Sequence, residues 1–455
     1  MNLQTQAPGS GSGPALNRRA FLRQTAGLAA AVSLSSGPKA WSANDKIIVG
    51  VMGVGGRGTA LTDFFAKRPD VEIAWLCDPD TRRLKAASGV VEAAQGRKPR
   101  LAQDFRRMLE DRAVDVVINA TPDHWHALGT ILACQAGKDV YVEKPMAHNV
   151  REGRKMIEAA RKYGRVVQVG TQTRSAPYAR QALEYIQSGG LGEVLLVRVF
   201  NMMQHPLQKT VPDQAPPAEL DYDLWCGPAA KPPYNPGRYW LNYSEYSCGP
   251  IPGDAVHQLD LARMVLGDPA YPDSAYSTGG VCSLADGRDT PDSQFATFTY
   301  GKMTFQFESA LWSPYMKKIA QHIRDGDLFP EWQFCATRIE VCGTKNFMYL
   351  GRHGGGWQVF DTNNQPIKSV YGRQGDKWHQ DNFLQCVRTR ARPHADVEQG
   401  HYSVLLCHLA NISWRLGNRK LILDPKTETF PETPEANRYL QRSNYRVPWT
   451  LPDPV

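Results

Sequence analysis

The sequence predicts an α/β protein whose N-terminal part is a doubly wound parallel sheet. Three observations carry that expectation. Short β-branched runs alternate with helix-length segments from Lys46 to Gly170. A glycine-rich turn, Gly53-Val54-Gly55-Gly56-Arg57-Gly58, stands between the first run and the first helical segment. An acid, Asp78, closes the second run about 20 residues beyond Gly58.

Taken in order, residues 46–52 read as a strand, 59–67 as a helix and 71–77 as the next strand. A lone G-x-G-x-x-G is weak, but strand, glycine turn, helix, strand and acid in series form the setting of a dinucleotide site. Gly53 permits the tight turn, and Gly55 lets backbone N–H groups approach a pyrophosphate at the helix N-terminus. Gly56 and Arg57 complete the loop, and Gly58 lets the helix sit close on the strand. Asp78 suits a ribose diol and repels a 2′-phosphate, which favours NAD over NADP. Arg82 and Arg83 stand close behind and offer a phosphate contact instead, so NADP stays open. The alternation continues with a strand at 115–120, a helix at 123–136, a strand at 139–143, a helix at 149–163 and a strand at 165–170. Ligands in such sheets sit at the carboxyl ends of the strands. Thr121-Pro122-Asp123-His124-Trp125-His126 and Glu143-Lys144-Pro145 occupy two such ends.

Length and composition bound the rest. The 455 residues suit two or three domains, and 42% hydrophobic with 22% charged residues is ordinary globular usage. The formal charge is +8, but Arg18, Arg19, Arg23 and Lys39 precede the first acid, so the body is only weakly basic. No concentrated basic run points to nucleic acid. Nine scattered cysteines contain no C-x-x-C pair, so no metal site is expected. A Cys226–Cys248 bridge stays open.

Asn17-Arg18-Arg19-Ala20-Phe21-Leu22-Arg23, a short apolar stretch at 26–34 and Ala40-Trp41-Ser42 resemble a bacterial twin-arginine (Tat) signal peptide. The apolar stretch is far shorter than the ~20 residues of a bilayer span, so stable membrane insertion is not expected. Residues 1–44 are thus expected to be an address read by the Tat export machinery, with a periplasmic or secreted destination.

The glycine loop, Thr121–His126, Glu143-Lys144-Pro145 and Gly253-Asp254-Ala255-Val256-His257-Gln258-Leu259-Asp260 together resemble the Gfo/Idh/MocA oxidoreductases. Trp378–Phe383 and Glu398–His401 resemble helix starts of secreted members. The resemblance implies an N-terminal Rossmann dinucleotide-binding domain and a C-terminal α/β domain with an open, mainly antiparallel sheet. The divisions expected are 45–170, 171–425 and a tail at 426–455. Strand-like runs at 194–202, 294–300, 302–310, 338–341 and 346–350 supply the second sheet, with Tyr300-Gly301 as a tight turn. Pro-, Tyr- and Trp-rich loops at 203–252 and 312–336 offer either a sugar-binding wall or packing.

The resemblance places Lys144 beside the nicotinamide, where an ammonium stabilises the alkoxide that forms as a carbinol is oxidised. Thr121, Pro122 and Glu143, at strand ends, are expected to help hold the cofactor, and His126, just beyond a strand end, to contact nicotinamide ribose or substrate. His257 lies in a helix read at 254–266, with Asp254 and Asp260 on roughly the same face. One of these carboxylates would orient the ring while its other nitrogen takes a proton. Inositol dehydrogenase-like members carry an aspartate four residues before this histidine, where this chain has Gly253. Gln172, Arg174, Tyr239 and Arg238 are further substrate-binding candidates. Hydride transfer between a carbohydrate hydroxyl and a tightly bound nicotinamide is the expected reaction, in a homodimer or tetramer. An NAD-dependent glycosidase or lyase working through a transient 3-keto sugar is the alternative, and a non-catalytic sugar-binding protein the third.

Overall fold

The protein is described here by a computed structural model covering residues 45–209, 211–249 and 251–455. The expected address at 1–44 lies outside the described residues.

The first half runs β1 (Ile47–Met52), α1 (Gly56–Ala66), β2 (Val71–Cys77), α2 (Thr81–Gln95), β3 (Arg100–Ala102), α3 (Arg106–Glu110), β4 (Val116–Asn119), α4 (Asp123–Gln135), β5 (Asp139–Val142), α5 (Val150–Lys162) and β6 (Val167–Val169). Its six strands are all parallel, in the order β3-β2-β1-β4-β5-β6. Every residue of β4, β5 and β6 is buried, as expected of strands covered on both faces. The chain reverses direction across the sheet between β1 and β4, which opens a crevice at their carboxyl ends. Helix α1 starts at Gly56, three residues before the expected Thr59. Its first turn is glycine-rich, and glycine reads as turn because of its poor helix propensity. The Asp80 side chain caps α2, and Gly96 ends it with φ of 68°.

The second half contains a 3₁₀ turn (Gln172–Ser175), α6 (Pro177–Gln187), β7 (Val194–Met202), α7 (Tyr222–Cys226), a π-helical turn (Ile251–Ala255), α8 (Val256–Val265), β8 (Ser274–Gly280), β9 (Ser293–Tyr300), β10 (Met303–Ala310), α9 (Gln321–Arg324), β11 (Arg338–Gly343), β12 (Phe347–Gly351), β13 (Trp357–Phe360), β14 (Pro366–Val370), α10 (Asp376–Thr389) and α11 (Val397–Arg415). The sheet order is β14-β13-β12-β11-β7-β10-β9-β8. Only β7 and β10 pair in parallel, so the sheet is mainly antiparallel. Gly301, at φ 57°, makes the turn between β9 and β10.

Two connections position the cleft. Helix α10 crosses back to the first sheet, where Phe383, Leu384 and Val387 pack with Ile47, Val49, Val51 and Tyr141. Arg390 pairs with Asp139 at 2.5 Å, and Arg68 pairs with Asp381. The second connection carries His257. The expected regular helix at 254–266 instead begins as a π turn, and regular α-helix starts only at Val256. All nine cysteines are unbridged, so the Cys226–Cys248 bridge does not form. The buried Cys248 thiol instead faces the carbonyls of Ala147 and His148, each at 3.4 Å.

Candidate active site

A cleft of about 660 Å³ opens at the carboxyl ends of β1, β2, β4 and β5 and extends to the second domain. At one end lies the glycine loop. Gly53 has φ of 82°, and a Cβ there would stand 2.7 Å from Thr121 N. A Cβ on Gly58 would stand 1.9 Å from the Gly53 carbonyl oxygen. Both positions therefore exclude a side chain. Gly55 is the N-cap of α1 and supplies no side-chain cap, which leaves the first N–H groups of that helix for a ligand. The Asp78 carboxylate accepts from Val54 N–H and Asp80 N–H, both at 2.9 Å. Burial nevertheless pushes its pKa above the usual aspartate value. Arg83 faces the same end of the cleft, whereas Arg82 is turned away onto Asp80. This donor set fits a dinucleotide: Gly53–Gly58 would take its pyrophosphate and Asp78 its ribose.

Further in, Arg57 Nε donates to Glu143 at 2.7 Å, and its Nη2 lies 3.3 Å from Asp376 at the start of α10. Burial opposes the charge on Glu143, but Arg57 and Lys144 together hold its pKa below the ordinary value. Gly170 makes room for this carboxylate, since a Cβ there would stand 2.9 Å from Oε2. Thr121 and Pro122 line the crevice floor, the Thr121 hydroxyl donating to Asn119 at 2.7 Å. Gln172 reaches the Glu143 carboxylate at 3.5 Å.

Lys144 and His257 meet in this cleft. The Lys144 ammonium donates to the carbonyl of Gly253, so the backbone serves where the resembling members carry an aspartate. His257 is buried, and that burial, with the cations Arg352 and Lys144, lowers its pKa well below the usual histidine value. The ring is therefore a neutral base at ordinary pH. Tyr239 and Trp240 close one side.

Several expected site residues lie elsewhere. Neither Asp254 nor Asp260 hydrogen-bonds His257 among the described residues. Asp260 is taken by Arg174 at 2.8 Å and by the Ser403 hydroxyl at 2.6 Å. Arg174 also grips Asp268 at 2.6 Å. Both Arg174 and Asp260 are thus consumed in a buried ion-pair network, because a buried charge must find its partner. Asp254 does line the cleft, but it faces Lys318 and Arg352. The π turn before α8 displaces it from the regular i, i+3 relation. His126 is buried, with its ring nitrogens 2.7 and 2.8 Å from the carbonyls of Pro145 and Thr121. It ties the two strand-end loops together and does not line the cleft. Arg238 stacks over Tyr243 and donates to Pro233 O, outside the cleft. Most aromatic residues of the 203–252 loop pack among themselves, as Trp225 does on Tyr246.

Sequence reading missed Arg324, Arg352, His353 and Asp376, which all line the cleft. The overlooked signal was the run Arg352-His353-Gly354-Gly355-Gly356. Its three glycines all have positive φ, between 62° and 84°, so the chain turns sharply and presents the basic pair.

Residues 47–171 match the model of an oxidoreductase family with an NAD-binding Rossmann fold, and residues 345–451 match that family's C-terminal alpha/beta domain. A glycosyl hydrolase family 109 protein of Stenotrophomonas maltophilia is 36% identical over 135 residues, 28% of this chain and 30% of that protein. D-glucoside 3-dehydrogenase of Escherichia coli is 24% identical over 350 residues, 74% of this chain and 86% of that protein. Several curated relatives are matched over only 30–54% of their own length. Among solved structures, an aldose-aldose oxidoreductase from Caulobacter crescentus superposes with a TM-score of 0.63 at 19% identity, covering 83% of this chain and 100% of that one. The two matches together span both halves of the fold and about half of the chain, and the chain belongs to the Gfo/Idh/MocA oxidoreductase family.

Proposed function

We propose that this protein is an exported sugar or keto-sugar oxidoreductase that retains its NAD. The observation that carries the reading is that Lys144 and His257 share one cleft with the glycine loop. The bound nicotinamide supplies the acceptor or donor of the carbinol hydrogen. Gly53–Gly58 and Asp78 hold the dinucleotide, and Glu143 with Arg57 fixes the strand end that presents Lys144. The Lys144 ammonium donates to the reacting hydroxyl and stabilises negative charge as it develops on that oxygen. The neutral His257 ring takes the hydroxyl proton; with loss of the C–H hydrogen and its electron pair to the cofactor, the carbinol would become a carbonyl.

The twin-arginine segment supports export of an already folded protein, and outside the cytoplasm an exchangeable nicotinamide would be scarce. A retained cofactor would be recycled by a second sugar. Tyr276 and Phe295, on neighbouring strands β8 and β9 and each 42% exposed, suit a homodimer or tetramer contact.

The test is to denature gel-filtered protein and identify the dinucleotide released. About one NAD(H) per chain, reduced by one sugar and reoxidised by another, is the expected result. Protein that folds without retaining a dinucleotide would overturn the closed cycle. Release of the aglycone from an aryl glycoside would replace the redox reading with a glycosidase. Loss of export in an Arg18→Lys/Arg19→Lys variant checks the address.

A further inference from the structure

The end of the cleft beyond His257 holds charges that the reaction above does not use. The Arg352 side chain is only 8% exposed. Its guanidinium has no hydrogen-bond acceptor among the described residues. The nearest carboxylate, Asp254, stands 4.0 Å away. Arg324 lines the cleft and donates its Nε to Ile319 O at 2.6 Å. Lys318 stands 3.4 Å from Asp254 Oδ2, an oxygen that is buried without a hydrogen bond. The other acid of this region, Asp376, is held by Arg57. Three cations, Lys318, Arg324 and Arg352, thus face the carboxylate of Asp254, with Asp376 also acting on the two arginines and Asp325 on Arg324.

We propose that the sugar substrate of this site is anionic and that its oxyanion docks on Arg352, with Arg324 and Lys318 completing the field. A carboxylate, as in a uronic acid or uronide, matches the planar fork of a guanidinium bidentately. Asp254 lines the same part of the cleft, so the subsite sets a carboxylate acceptor for a sugar hydroxyl beside the donors for an acid. Burial lowers the pKa of Arg352 to about 10, the mark of a cation whose counter-charge is incomplete. Around His257 the neighbouring cations are Arg352, Lys144, His353 when protonated and Arg57, with Arg352 the strongest. An anion bound on Arg352 therefore also restores basicity to His257. This inference deepens the oxidoreductase reading and rests on it.

The experiment uses NAD-loaded protein and pairs of aldose and uronate of gluco, galacto and manno configuration, with the corresponding 6-sulfates and 6-phosphates. Binding is followed by calorimetry, independently of turnover, and NAD reduction is measured separately. In one configuration the uronate is expected to bind about 10–100-fold more tightly than the neutral sugar. Arg352→Met should abolish that preference and Arg352→Lys restore part of it. Lys318→Met, at a half-exposed position, should weaken it about two- to fivefold without disturbing the fold. Tight binding of the sulfate or phosphate ester alone would assign the anion to an ester. Equal binding of neutral and anionic sugars in every pair, or a preference that survives in Arg352→Met with NAD retained, would overturn the proposal. Arg352-dependent binding of a uronate without NAD reduction would sink the redox reading and leave the anion site standing.

Discussion

At the glycine-loop end of the cleft, Asp78 has both oxygens bound by backbone N–H groups and Glu143 is paired with Arg57. At the far end, among the described residues, the Arg352 guanidinium has no hydrogen-bond acceptor and Asp254 Oδ2 no donor. Two buried arginines make the contrast sharpest. Arg174 spends its fork on Asp260 and Asp268, whereas the fork of Arg352 is unspent. Buried polar groups in folded proteins are nearly always satisfied. Arg174, satisfied within the chain, therefore holds the architecture, and an unsatisfied charge at a cleft marks where a ligand completes it.

The comparison can be broken most sharply at the reacting centre. His257→Asn should lower kcat/KM by about 10²–10⁴ while NAD retention is unchanged. Because the ring is held neutral, the acid limb of the wild-type kcat/KM profile should lie well below pH 6.5. A limb at the ordinary histidine value would contradict the burial argument. Arg174→Met should cost about 3–5 kcal/mol of stability in urea unfolding and leave KM within about twofold. A raised KM in a fully stable variant would return Arg174 to the substrate.

His379 offers a subtler test on the saturated side. It bridges Ser175 Oγ at 2.8 Å and the Val169 carbonyl at 2.9 Å, and burial lowers its pKa to about 3. With the folded value below the unfolded one, the unfolded chain takes the proton first as pH falls below about 6.5. Stability is then lost on acidification, by up to about 1.4 kcal/mol per pH unit for this group. His379→Gln should flatten the stability profile between pH 6.5 and 5 by about that amount. The smallest effect belongs to Asp78→Asn. It should weaken NAD binding about five- to tenfold in a fluorescence titration and narrow the gap to NADP.

The legible part of the molecule was the part made by local chain. The parallel sheet follows from apolar runs that alternate with helices. The cofactor end follows from glycines and an acid within about 30 residues of one another. The other end of the cleft is assembled from Lys144, His257, Arg324 and Arg352, which no spacing rule connects. The reading of Asp260 as a partner of His257 failed for a physical reason. Helical periodicity says which face a residue occupies, not which buried cation competes for it, and Arg174 wins. Strand β8, Ser-Ala-Tyr-Ser-Thr-Gly-Gly, escaped notice because small and polar residues give little period-two contrast.

Helix α10 carries one more consequence, for biosynthesis. Residues 376–389 cover Ile47, Val51 and Tyr141 and place Asp376 against Arg57. A ribosome that has finished the six parallel strands has therefore made a nucleotide-binding layer with a greasy flank still bare. That flank stays open while more than 200 further residues are translated. Holding the intermediate soluble over that interval is work for a chaperone, and a fragment ending at the sixth strand should aggregate on expression unless a peptide spanning α10 is supplied with it.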